Sequence, residues 1–143
     1  KLTPEFIPFP SGPDGTNRMR IMLDPAIEHA ETSSIQRGSL SRGTKIVVNL
    51  FDGGVRDLVW ASLDGGPDQL MSYTVRTDPF VESIFEKYRD SDDAYPTPDL
   101  SAHIWEAPLP ENLSIGLHHI VVSSMDEFGQ AQRGTFTFEI ADN

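Results

Sequence analysis

The sequence of 143 residues predicts an all-β chain, a two-layer sandwich of about seven short strands with one inserted helix. Three observations predict it. Short runs rich in β-branched and aromatic residues recur along the chain, Asp-Gly and Gly-Gly turns punctuate them, and apolar and polar residues alternate within them. The 11 glycines and 11 prolines suit many turns and few long helices.

Residues 1–17 are rich in Pro and Gly and follow no period, so they read as an extended linker with Phe6, Ile7 and Phe9 as apolar anchors. The sandwich domain is expected over residues 18–143. Residues 18–23 (RMRIML) make a first strand. Residues 24–31 hold a possible helical turn with Pro25 near its start, and a Ser/Gly/Arg loop follows. Residues 45–51 (KIVVNLF) form a strand closed by Asp52-Gly53-Gly54, and residues 57–63 (DLVWASL) follow, closed by Asp64-Gly65-Gly66-Pro67. Such punctuation reads as a meander. Residues 69–76 are the next strand.

The helix comes after it. Asp78 caps it, Pro79 takes its first position, and Phe80, Ile84 and Tyr88 recur at four-residue spacing, with Val81 and Phe85 widening the apolar face. The pattern gives an amphipathic helix over residues 79–89 that covers a sheet edge or end. A polar loop then leads to strands at 102–109, 117–125 and 130–140. The whole is a sandwich of the immunoglobulin or fibronectin type.

Alternation assigns the inward side chains. Val59, Ala61 and Leu63 face the core, which turns Trp60 outward. Trp105, Ala107 and Leu109 form a second inward set, His118, Ile120, Val122 and Ser124 a third, and Phe136, Phe138 and Ile140 a fourth.

Charge and composition exclude several functions. With 22 Asp and Glu against 11 Lys and Arg, the net charge of -11 repels nucleic acid. There is no cysteine, so disulfides, thiolate metal sites and cysteine nucleophiles are out. No stretch approaches the ~20 apolar residues of a membrane span. Lys1-Leu2-Thr3-Pro4 reads as a fragment boundary or processed end, and a periplasmic or extracellular bacterial setting is expected.

Candidate sites are few. The acidic loop Asp90, Asp92, Asp93 and Asp99 offers oxygens to calcium but lacks EF-hand spacing; a solvated loop is the plainer reading. Neighbouring His118 and His119 point to opposite faces of a strand, so they are poorly placed to share an ion. Trp60, expected near Tyr73 on the adjoining strand, either lies under the helix, docks against another domain or stacks on a sugar ring. The last option makes a carbohydrate- or cell-envelope-binding module the alternative function. Ser123 and Ser124 lie mid-strand with no strained turn, and no glycine turn leads into a P-loop.

Four pieces carry a resemblance to a family: Met19-Arg20-Ile21; Val48 to Gly53 (VNLFDG); the stretch from Val59 through Asp64 to Asp78-Pro79; and residues 103–130 (HIWEAPLPENLSIGLHHIVVSSMDEFGQ). In that order, with a helix after Asp78-Pro79, they resemble the C-terminal domain of bacterial calcineurin-like metallophosphoesterases, an immunoglobulin-like sandwich behind the catalytic domain. The loop around residues 34–42 and the short N-terminal portion depart from the family. The resemblance implies an accessory domain whose partner is an upstream catalytic domain of the same polypeptide. The two divalent metals of such enzymes belong to that domain, whose Asp-x-His, Gly-Asp-x-x-Asp and Gly-Asn-His-Glu motifs are absent from this sequence.

Overall fold

The computed structural model describes residues 18–24, 34–36, 43–91 and 97–141. The expected linker over 1–17 and the helical turn over 24–31 fall almost wholly outside them. Among the described residues, nine strands and one helix run in the order β1 (Met19–Asp24), β2 (Ser34–Gln36), β3 (Lys45–Leu50), β4 (Leu58–Leu63), β5 (Gln69–Leu70), β6 (Ser72–Thr77), α1 (Pro79–Lys87), β7 (Leu100–Pro108), β8 (Gly116–Met125) and β9 (Ala131–Ala141).

The strands form two sheets, β1-β3-β7-β6 and β2-β9-β8-β4-β5. This is the immunoglobulin arrangement, one sheet of A, B, E and D strands facing one of G, F, C and C′ strands. Pairing is antiparallel except at the short β2, which runs parallel to β9 with Ser34 opposite Glu139. The expectation of a loop at residues 34–36 is corrected there. Once β9 is placed, its edge offers a ladder that three residues can join whatever their side chains.

Two further expectations need correction. Residues 45–51 and 57–63 do not form a meander, because β3 lies in the first sheet and β4 in the second. The Asp52-Gly53-Gly54 turn carries the chain between layers. Gly53 is buried where an added Cβ would stand 2.8 Å from Leu50 Cδ2 and 2.9 Å from Trp105 Cη2, so the crossing hugs the core. The second turn does close a hairpin, with Trp60 opposite Leu70. The run 69–76 breaks at Met71, which is 5% exposed and donates its N–H to the Val59 carbonyl at 2.8 Å. The chain thus switches sheets by burying one side chain between them.

The inward sets match the alternation. Val59, Ala61, Trp105, Ala107, Leu109, Ile120, Val122, Phe138 and Ile140 are buried in one core, with Leu63 and Phe136 packed at its margin. Trp105 and Phe138 are its largest fully buried side chains. Burying such side chains contributes roughly 1.5–3 kcal/mol each. That drive is what holds two sheets together without a disulfide.

Candidate functional site

The outer face of the first sheet carries the most organised polar chemistry among the described residues. Asp78, buried beside α1, takes the N-cap position: its Oδ1 accepts from the Phe80 N–H at 2.7 Å. Its Oδ2 accepts from Asn49 Nδ2 on β3 at 2.6 Å and from Arg20 Nη1 on β1 at 3.4 Å. One carboxylate thus fastens the start of α1 to two strands, a use that needs its charge to stay paired. Arg20 in turn lies over two rings, its guanidinium carbon 4.0 Å from the Phe80 centroid and 5.4 Å from that of Phe51. These are cation–π distances.

Further along the same face, the Arg76 guanidinium on β6 meets three carboxylates: Asp24 at 2.8 Å, Glu106 at 3.3 Å and Glu82 of α1 at 3.6 Å. Lys45 holds the other Glu106 oxygen at 3.2 Å. Burial alone would lower the Arg76 pKa, but the bonds and charges of Asp24 and Glu106 outweigh it and hold the guanidinium firmly protonated. The same sheet carries a second small apolar cluster of Met22, Val47 and Ile104. Nothing in local spacing reveals these nodes, since their members come from four separate segments.

The helix forms as expected, ending two residues sooner than the pattern suggested. Its apolar side chains, however, are not all covered: of α1 only Pro79 is buried, while Phe80 and Val81 stand 43% and 41% exposed. The expected cover of Trp60 by this helix is not found. α1 is fastened to the first sheet, whereas Trp60 belongs to β4 of the second.

Trp60 does turn outward, half-buried, opposite Leu70 on one neighbour and Ser123 on the other. Tyr73 is not its neighbour. It lies on β6 of the opposite sheet, packs edge-on against Trp105 at 5.2 Å between centroids, and donates its hydroxyl to the Ala102 carbonyl at 2.9 Å. The break at Met71 separates the two rings. Of the acidic loop, Asp92 and Asp93 lie outside the described residues. Asp90 and Asp99 join no cluster of three metal-ligating side chains among the described residues.

His118 is a packed histidine at the start of β8. Its Nδ1 faces Asp64 Oδ2 at 2.6 Å and its Nε2 faces the Ser114 carbonyl at 2.8 Å. Both partners accept only, so both nitrogens donate and the ring is an imidazolium. Burial works against that charge, but the bonds to Ser114 and Asp64 prevail and raise the pKa above its ordinary 6.5. Asp64 sits at a left-handed φ of 53°, which brings its second oxygen to the His119 N–H at 2.8 Å. His119 points away and meets Thr137 at 2.9 Å. The bond from His118 back to a carbonyl four residues upstream is the one a tyrosine makes at the corresponding corner of many immunoglobulin domains. With both nitrogens used, the ring offers no lone pair to an ion.

These features describe an immunoglobulin-like sandwich in which Asp64, Asp78, Glu106 and His118 are engaged in holding its own elements together. Comparison with protein families matches residues 10–131 to the family described as the C terminal of calcineurin-like phosphoesterase, and the chain belongs to that family. A comparison with curated proteins gives no match.

Proposed function

We propose that this chain is the non-catalytic C-terminal domain of a calcineurin-like metallophosphoesterase, packing against the catalytic domain that precedes it and holding it in place. The family match over residues 10–131 carries the reading. The chemistry of the described residues supports it. A dinuclear phosphoesterase centre needs several carboxylates and imidazoles converging on two cations. Here Asp24, Asp78 and Glu106 are engaged by arginine, lysine or asparagine, Asp64 and His118 hold each other, and no cluster of three metal-ligating side chains occurs among the described residues.

The reading is tested by comparing the parent enzyme with a truncation lacking this domain. The truncated enzyme is expected to retain metal-dependent hydrolysis of an aryl phosphate yet melt several degrees lower, because a covering interface has been removed. A truncation whose Tm and kcat/KM both equal those of the parent contradicts it.

A further inference from the structure

We infer that the surface formed by Phe51, Arg20, Phe80 and Val81 is the docking site for the upstream phosphoesterase domain of the same polypeptide. The inference rests on the function proposed above and assigns the face that performs it. Its composition comes first. Phe51, Phe80 and Val81 are 39%, 43% and 41% exposed on a chain whose net charge is -11, and an arginine lies over both rings. Aromatic residues and arginine are what protein interfaces concentrate, while carboxylates are depleted at their centres.

The patch is also ordered in advance. Asp78, 4% exposed, holds Arg20 at 3.4 Å while capping the helix that carries Phe80 and Val81. Less side-chain freedom is therefore lost on docking. Arg20 keeps one third of its side chain exposed and Asp78 engages only its Nη1, so the partner surface suited to it is apolar with a carbonyl or carboxylate at its margin.

Position then identifies the occupant. The chain from upstream reaches the sandwich at Arg18, whose carbonyl accepts from the Phe51 N–H at 3.0 Å, and Arg20 lies two residues further on. Residues 1–17, which read from the sequence as a linker, meet the sandwich at this point, so whatever precedes them is joined to it beside the patch. Covalent attachment at this entry point raises the effective concentration of the upstream domain beside the sandwich, and a patch of modest size then suffices.

Amide hydrogen exchange compares the parent polypeptide with this chain alone, read over residues 51–56 and 79–88. At least tenfold slower exchange in the parent over both segments is expected, and Phe80→Ser in the parent should abolish the difference over 79–88. Equal exchange there, with another face of this domain protected, overturns the docking site and leaves the proposed function standing. Protection nowhere on the domain overturns both. Protection over 79–88 that appears in the chain alone and rises with its concentration assigns the patch to a second copy and overturns the inference.

Discussion

His118 and Asp64 show how a single pair sets a pH response. The histidine pKa is raised, so its stabilisation is complete below 6.5 and fades as pH climbs through the folded-state value. For Asp64, burial pushes the pKa up, but the bonds from His118 and the His119 backbone outweigh it, and the net direction is down from 3.8. Its contribution is complete above 3.8 and fades as pH falls through the folded value. The pair therefore stabilises most between those two ordinary values. His118→Gln should cost about 2 kcal/mol in urea unfolding at pH 6, the usual worth of hydrogen bonds to a charged group. At an alkaline pH above the folded-state value the difference between wild type and variant should shrink, because the wild type has then lost its imidazolium. An equal difference at both pH values would assign the loss to packing against Phe138, whose ring stacks 5.5 Å from His118.

The helix depends on its cap more than on its apolar face. Asp78 satisfies one N-terminal N–H of α1 and binds Asn49 and Arg20, so Asp78→Ala removes a cap and leaves two polar groups without their partner. A loss of roughly 2–3 kcal/mol is expected from chemical denaturation, above the ~1 kcal/mol of a cap alone. Asp78→Asn, which keeps an acceptor for Phe80, should recover about half of it. A loss no greater than that of a simple cap would mean that the bonds to β1 and β3 add nothing. The sequence announces this element plainly, since Asp, Pro and the four-residue spacing are local signals. It cannot announce that Phe80 and Val81 stay exposed, because periodicity tells which side is apolar and not what lies against it.

The same distinction runs through the whole molecule. Alternation identifies the inward residues of β4, β7, β8 and β9, since burial on one face is a property of each strand by itself. Which strands pair is a property of two strands together, and there local reading fails: the glycine turn after β3 crosses between sheets, and Met71 divides one run between them. Tyr73 thereby lies in the opposite sheet from Trp60. The His118–Asp64 pair was hidden for a similar reason, its members lying 54 residues apart. Only the Asp-Gly turn and the histidine at a strand start hinted at it.

The most direct measurement is made on this chain alone, purified to homogeneity and incubated with an aryl phosphate and Mn²⁺ or Mg²⁺. A domain with no cluster of three metal-ligating side chains among its described residues should release no phenolate above a protein-free blank. Turnover that requires the metal, persists through repurification and vanishes on chelation would contradict the account.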